Sequence, residues 1–294
     1  MKRPLFSCVI PVKGERSYFD EALRSLQNQG LGDDLEIIVQ DADVGNGGVG
    51  ELNHEIHERH ENGRGVRGQE LAVSDGGLEG IRWYREADKG QSDALNKGFS
   101  KTKGEWLFWL NADDVLLPGA LKSLAKRVKS LEFKDVEWVA GDTVYLDQGG
   151  IARDVRTDAK WYPWFGKKLS VWTGGPSSFF RRELWERYGG FNVDLKYVMD
   201  IDLWTRWAKQ GVRFKGLDKY IWGFRMHDGS KTMSGQNENS HYEERMRVLE
   251  SHGLIRQKCW RNVTRFCSLI DGGWFKRLHD RKRFFGTNWK DLKI

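Results

Sequence analysis

Cysteine, proline and long apolar runs are all scarce in this sequence, and each scarcity excludes a class of protein. The three cysteines, Cys8, Cys259 and Cys267, form no CxxC pair, which argues against a disulfide framework and favours a reducing, cytoplasmic setting. No eighteen consecutive apolar residues occur, so no membrane span is expected. The apolar run near the start is too short for a signal peptide. With five prolines among 294 residues, extensive disorder is not expected either.

The charge balance is mildly basic, with a net charge of +6 and a pI near 9.1. Such a balance suits an anionic ligand or a membrane surface. The basic residues are interspersed with acidic ones, and the chain contains no RNP-like, zinc-finger or basic-zipper pattern. We therefore expect no nucleic-acid partner.

Apolar runs alternate with amphipathic patterns, which is typical of an α/β protein. Residues 6–12 and 35–40 read as buried strands, and between them a helix capped by Ser17 has apolar residues at helical spacing. Further strands are predicted at 80–84, 105–110, 136–146 and 151–156, with helices at 92–99, after Pro118, from Arg182, and through Asp200 to Gln210. The alternation predicts a Rossmann-like, mostly parallel sheet flanked by helices, which binds ligands at the carboxyl ends of its strands.

Residues 43–80 are rich in glycine and charge, and they read as a long insertion that contains two misleading motifs. Gly45 to Gly50 matches G-x-G-x-x-G, but a dinucleotide-binding turn follows directly on the first strand, whereas this one follows the second. The histidines of "HEIHERH" are three residues apart, whereas the two histidines of a zinc-protease motif are spaced by four residues. A solvated helix explains them better.

Two adjacent carboxylates, Asp113 and Asp114, close the apolar run "WLFWLNADD". Adjacent buried charges repel each other unless a cation neutralises them, and hard oxygen ligands suit Mn²⁺ or Mg²⁺ shared with substrate phosphates. The alternative is that Asp114 caps the next helix while Asp113 faces water. The pattern by itself leaves both interpretations open.

The longer segment "WYREADKGQSDALNKGFSKTKGEWLFWLNADD" resembles the signature of family 2 glycosyltransferases, inverting enzymes of the GT-A fold. The matching positions are Asp88, Gly90, Asp93, Ala94, Asn96, Gly98 and Gly104. "FSCVIPVKGE" and "EIIVQDADVGNGG" are similar to the first two strands of that family. One departure is Asn111, which stands where the metal motif usually has Asp; the last acid usually holds the metal, and Asp113 takes that place.

The resemblance implies a nucleotide-sugar site and a divalent metal, Mn²⁺ or Mg²⁺. Pro11 and Glu15 would lie beside the base, and Asp41 would accept a hydrogen bond from its imide N–H, which favours uracil or thymine. The remaining donor-binding candidates are Asp93, Asn111, Ser230 and Lys231, the first two for ribose or sugar hydroxyls and the last two for phosphate. The metal candidates are Asp113, Asp114 and His227.

The segment "GGFNVDLKYVMDIDLWTRWAKQG" is similar to the acceptor half of the same family. Asp200 takes the position of the family's catalytic base, and Asp202 is the second choice. The alternative is that Asp200 only caps a helix. The implied activity is transfer of a sugar from a UDP- or dTDP-sugar to a hydroxyl of a glycan, a lipid-linked glycan or another glycoconjugate, in polysaccharide biosynthesis. The alternatives are an inactive GT-A-like carbohydrate-binding or scaffold protein and a dinucleotide-binding oxidoreductase.

We expect residues 1–115 to bind the nucleotide sugar, residues 116–232 to form the acceptor half of the same domain, and residues 233–294 to form a helical extension. From Trp274 this extension has seven Lys or Arg residues, two acids and five aromatic residues. If it is helical, Trp274, Leu278 and Phe285 share a face, which predicts weak, salt-sensitive membrane association. The alternative is that its aromatic residues pack on the domain.

Overall fold

The computed structural model describes residues 2–14, 16–43, 69–72, 81–157, 173–230, 238–254 and 273–293. The strands in these ranges are β1 Phe6–Val12, β2 Leu35–Asp41, β3 Gln69–Ala72, β4 Ile81–Arg85, β5 Trp106–Trp109, β6 Val115–Leu116, β7 Trp138–Leu146, β8 Ala152–Arg156, β9 Ser178–Arg181 and β10 Phe214–Arg225. The α-helices in the same ranges are α1 Phe19–Gln27, α2 Gln91–Lys101, α3 Ala120–Val128, α4 Arg182–Tyr188, α5 Met199–Lys209, α6 Glu238–Ser251 and α7 Gly273–Phe284.

The strands form one sheet in the order β3-β4-β2-β1-β5-β9-β7-β10-β6, with β8 paired to β7. The strands β4, β2, β1 and β5 are parallel, as are β7 and β10. From β1 the chain moves outward to β2 and β4, and then returns past β1 to form β5. This reversal opens a crevice at the carboxyl ends of β1 and β5, where open α/β sheets bind ligands.

Helices cover both faces of the sheet, as the apolar patterns predict. On one face, α1 buries Phe19, Ala22, Leu23 and Leu26, and α3 packs beside it. On the other face, α2, α4 and α5 enclose a second core. The N-terminal cap of α1 is Tyr18 rather than Ser17, and the Tyr18 side chain makes no capping hydrogen bond.

Tryptophan fills much of the second core. Trp109, Trp138, Trp204 and Trp207 of this core are fully buried. The rings of Trp138 and Trp204 stack with centroids 4.7 Å apart, and Trp109 stacks on Trp204 at 6.0 Å. These rings therefore act as core residues and are not available to stack on a sugar.

Three short strands differ from the sequence prediction. β3 lies within the glycine-rich segment and pairs antiparallel with β4 at the edge of the sheet. β9 pairs antiparallel with both β5 and β7, and so joins the two predicted halves in one sheet. β6 has two residues and β9 four, too few to show a periodic pattern. The G-x-G-x-x-G motif and the three spaced histidines lie outside the described residues.

The C-terminal helices α6 and α7 extend the domain, as predicted. α7 packs beside β7 and β8, where Phe284 joins a small core with Trp289 and Leu292. None of the helices in the described ranges is long and apolar enough to cross a membrane.

Candidate active site

Asp113 and His227 meet beyond the carboxyl end of β5. His227 follows β10, and its Nε2 lies 3.0 Å from Oδ2 of Asp113. The imidazole also lies against the ring of Tyr18, with centroids 5.2 Å apart. Asp113 keeps about a third of its side chain exposed, at 35%. A carboxylate oxygen and an imidazole nitrogen therefore converge at a position that solvent can reach.

Asp114 points into the protein. Its Oδ1 accepts a hydrogen bond from the backbone N–H of Arg225 at 2.9 Å, and its Oδ2 accepts one from Nδ2 of Asn111 at 2.8 Å. Burial raises the pKa of the Asp114 carboxyl well above its ordinary value, and the adjacent Asp113 charge raises it further. Asn111 in turn accepts from Nε2 of Gln91 at 2.9 Å. Both predicted ligands, Asp114 and Asn111, are thus engaged by protein groups.

Arg225 holds the loop that carries the two acids. Its buried guanidinium donates from Nε to the carbonyl oxygen of Asp113 at 3.0 Å and from Nη1 to that of Gln148 at 2.8 Å. Nη2 forms an ion pair with Glu21, and the ring of Tyr18 lies 4.5 Å from Cζ. Sequence reasoning missed Arg225, for which the only signal is a charged residue inside an apolar strand.

The donor atoms fit a divalent cation that its substrate helps to hold. Asp113 and His227 offer oxygen and nitrogen ligands of the type that Mn²⁺ accepts. The described residues contain no cluster of three or more His, Cys, Asp or Glu side chains placed to hold a metal ion. The two protein ligands would therefore need phosphate oxygens and water to complete the coordination shell, as is usual for ions shared with nucleotides.

Asp41 ends β2 and is fully buried. Nη2 of Arg16 donates to both its carboxylate oxygens, at 3.1 and 2.9 Å, and Nε1 of Trp83 donates to Oδ2 at 3.1 Å. The backbone N–H of Asp43 donates to Oδ1 at 3.0 Å. Arg16, which sequence reasoning missed, therefore occupies the oxygens that were predicted to bind the base. Its 25-residue separation from Asp41 gives no sequence signal of this pairing.

The first turn of α2 contains Asp93, whose Oδ2 accepts the backbone N–H of Lys89 at 3.0 Å and pairs with Lys97 at 3.1 Å. Although burial acts in the opposite direction, these donors lower the pKa of Asp93. Asp88 accepts the N–H of Gly90 at 2.9 Å, and burial raises the pKa of its carboxyl. These contacts keep the loop before α2 folded beside the crevice.

Two other residues of this segment have packing roles. Asn96 donates to the carbonyl oxygen of Phe191 and accepts its N–H, both at 2.9 Å, and so joins α2 to the turn that precedes α5. A Cβ on Gly98 would lie 2.3 Å from Cγ1 of Val9, so only glycine lets α2 lie this close to β1. Much of the sequence signature therefore fixes the scaffold of the crevice.

Asp200 and Asp202 differ in their surroundings. Asp202 is largely buried. Its Oδ2 pairs with Nε of Arg206 at 2.9 Å, and its Oδ1 lies 2.9 Å from Nε2 of His252. Asp200 lies in the first turn of α5, and its Oδ1 accepts the N–H of Ile201 at 2.8 Å. The other carboxylate oxygen of Asp200, Oδ2, lies close to Gly175, since a Cβ added to this glycine would be 3.3 Å from it.

Glu244 of α6 is a further residue that sequence reasoning missed. Its buried carboxylate accepts three backbone N–H groups directly before α5, from Lys196 at 2.9 Å, Tyr197 at 2.6 Å and Val198 at 3.0 Å. An anion is favoured at this end of a helix. The next residue, Arg245, is buried, and burial together with the charge of nearby Arg156 lowers its pKa to about 10. The extension therefore contacts the segment that carries Asp200.

The remaining candidates for donor binding are Pro11, Glu15, Ser230 and Lys231. Pro11 is half-buried on β1 opposite Gln40. Ser230 is buried, and its N–H donates to the carbonyl oxygen of His227 at 2.9 Å. Glu15 and Lys231 lie outside the described residues.

Solved structures with the same fold include enzymes that bind nucleotide sugars. Residues 1–349 of TarS of S. aureus, in complex with UDP-GlcNAc, are 18% identical with a TM-score of 0.55, over 83% of this chain and 65% of the TarS 1–349 chain. The mannosyltransferase PcManGT of Pyrobaculum calidifontis, in complex with GDP-Man and Mn²⁺, is 20% identical with a TM-score of 0.55, over 85% and 63% of the two chains. At these identities the likeness establishes the fold, which is GT-A.

Relatives found by sequence are also described as glycosyltransferases. Uncharacterised glycosyltransferases of Rickettsia felis and Rickettsia typhi are each 25% identical to this chain, over 80% and 82% of it. The chain spans 36% of the length of the first and 70% of the second. Residues 7–180 match glycosyl transferase family 2. The chain therefore belongs to glycosyl transferase family 2.

Proposed function

We propose that this protein is a metal-dependent, inverting glycosyltransferase that moves a sugar from a nucleotide-diphospho-sugar to an acceptor hydroxyl. The observation that carries the proposal is the Asp113–His227 pair, whose members lie 3.0 Å apart beyond the end of β5. The pair lies at the crevice where the sheet topology reverses, which is where such folds bind nucleotides.

Asp113 and His227 are the protein groups that would hold Mn²⁺ or Mg²⁺, which supplies positive charge to the leaving diphosphate. Asp114 keeps the role of holding the loop, through its bonds to Asn111 and the backbone of Arg225. The buried Arg225 guanidinium lies behind the Asp113 carbonyl group and fixes its position. Because its backbone is fixed in this way, the Asp113 carboxylate loses little entropy when the substrate arrives.

Asp200 is the proposed general base. The acceptor hydroxyl loses its proton to the carboxylate while its oxygen attacks the anomeric carbon, and the bond from that carbon to the diphosphate breaks. One displacement inverts the anomeric configuration. Asp202 is less suited to this role because Arg206 and His252 already occupy its oxygens.

The donor base is proposed to lie near Arg16, Asp41 and Trp83. The guanidinium of Arg16 is held by Asp41 and lies 5.7 Å from the centroid of the Trp83 ring. Arginine N–H groups pair with carbonyl oxygens, so this arrangement favours a base that presents a carbonyl, uracil and thymine among them, over adenine, which has none. The proposed acceptor is a glycan or a lipid-linked glycan. The proposed setting of the transfer is reducing and cytoplasmic.

The test is a panel of UDP-, dTDP- and GDP-sugars, scored by thermal stabilisation and by metal-stimulated hydrolysis. We expect at least one of them to raise the melting temperature only when Mn²⁺ or Mg²⁺ is present and to release free sugar slowly. Binding without any turnover would favour an inactive carbohydrate-binding protein. Stabilisation by NAD alone would favour the oxidoreductase alternative.

A further inference from the structure

The inner face of α7 is fixed to the sheet by ionic and apolar contacts. Lys276 pairs with Asp142 at 3.0 Å, and the Tyr220 hydroxyl donates to Oδ2 of Asp280 at 2.9 Å. Phe284 is 4% exposed. Lys276, Asp280 and Phe284 follow one another at intervals of four, so they define one side of the helix. The helix therefore has a fixed orientation on the domain.

The outer face of α7 is apolar at its centre. Phe275 and Leu278 of α7 and Phe285, the residue directly after it, expose 64%, 40% and 57% of their surface. Lys282 is exposed on the same side, four residues after Leu278. In the described ranges six large apolar side chains are exposed, and half of them lie in this short segment, the others being Leu131, Val193 and Tyr242. Exposed aromatic residues concentrated on one face mark an interaction surface.

Positive charge surrounds this apolar stripe. Residues 273–293 contain seven Lys or Arg and only two Asp. Arg277 and Arg281 lie along one flank, where Asp154 partly neutralises them at 3.0 and 3.5 Å. The exposed Arg283 lies on the other flank, where its Nη2 donates to the carbonyl oxygen of Lys293 at 2.7 Å. The outer face thus combines an apolar centre with a cationic border.

We propose that the outer face of α7 docks on a bilayer surface that contains anionic lipid. Phe275, Leu278 and Phe285 enter the interfacial layer, while Lys282 and the flanking arginines contact headgroup phosphates. The apolar centre favours a lipid surface over a nucleic acid, which would be contacted mainly through the cations. The twelve-residue helix lies along the interface and does not cross it. The proposal stands independently of the catalytic residues.

The test is co-sedimentation of the full chain with phosphatidylcholine vesicles, with and without phosphatidylglycerol. We expect binding to the anionic vesicles only, and weakening by salt. A triple variant, Phe275→Ser with Leu278→Ser and Phe285→Ser, is expected to bind roughly tenfold more weakly. Leu131→Ser, at an apolar residue that is 91% exposed on another part of the surface, is the matched control and should bind like the wild type.

Lys282→Glu combined with Arg283→Glu should abolish the preference for anionic vesicles while the melting temperature stays close to that of the wild type. Unchanged binding by the triple variant, or no binding by the wild type at low salt, overturns the proposal. Tight binding of single-stranded DNA that the Lys282 and Arg283 changes abolish and the apolar changes spare would reassign the surface to nucleic acid.

Discussion

His227 lies with its Nε2 3.0 Å from Oδ2 of Asp113, although 114 residues separate them in the chain. The pairing depends on β10, which carries the chain through Arg225 to His227 beside the loop after β5. Arg225 donates a hydrogen bond to the carbonyl oxygen of Asp113, and its own N–H donates to Asp114. The two acids at the end of one strand are thus held in place by the end of another.

Asp113→Ala should abolish the increase in UDP or GDP affinity that Mn²⁺ produces, because it removes the exposed carboxylate that would hold the ion. Isothermal titration with and without Mn²⁺ measures this effect. Asp228→Ala is the control, because it removes an exposed carboxylate one residue from His227. Metal-dependent affinity that survives Asp113→Ala would contradict the assignment.

Asp200→Asn should lower kcat by about 10² to 10⁴, the usual contribution of a general base, while donor affinity stays within a few-fold. Asp202→Asn should mainly lower the melting temperature, because it weakens a buried pairing with Arg206 and His252. Steady-state kinetics beside thermal denaturation separates the two effects. A larger loss of kcat in Asp202→Asn would exchange the two roles.

Glu244→Gln should lower kcat by about ten- to a hundredfold, because it disturbs the start of α5 and displaces Asp200 from its acceptor. KM for the donor should change little, since Glu244 contacts residues 196–198 only by their backbone. The matched control is Glu243→Gln, at the exposed neighbouring glutamate. A lower melting temperature with unchanged kcat would limit Glu244 to a structural role.

The metal-free protein should lose stability as the pH rises, because burial raises the pKa of Asp114 above its value in the unfolded chain. A carboxyl of this kind stabilises the fold when protonated. Its contribution is complete below about pH 4, the ordinary aspartate pKa, and is lost as the pH rises towards the raised pKa. Melting temperatures of wild type and Asp114→Asn, recorded with a chelator from acidic to alkaline pH, should therefore converge as the pH falls. Equal slopes for the two proteins would exclude Asp114 as the source.

The sequence by itself determined the alternation of the longer strands and helices, the family, and the place of the two acids. These are local properties. A buried strand appears as an unbroken apolar run and a surface helix as a repeat of three to four residues, so both can be read from a short window. Asp113 and Asp114 directly follow such a run, and the signature around Asp93 and Asn96 lies on a single helix.

Only the tertiary structure decided which side chains face the crevice and which are used by the protein. Asp114 and Asp41 look like ligands in the sequence, but they are buried against Arg225 and Arg16. Glu244 has no sequence signal, since it acts on the segment at 196–198 from a helix that follows the β10 strand. Such pairings depend on strand order and helix packing between segments far apart in the chain. No local periodicity encodes them, because the free energy that fixes them comes from burial of the whole sheet.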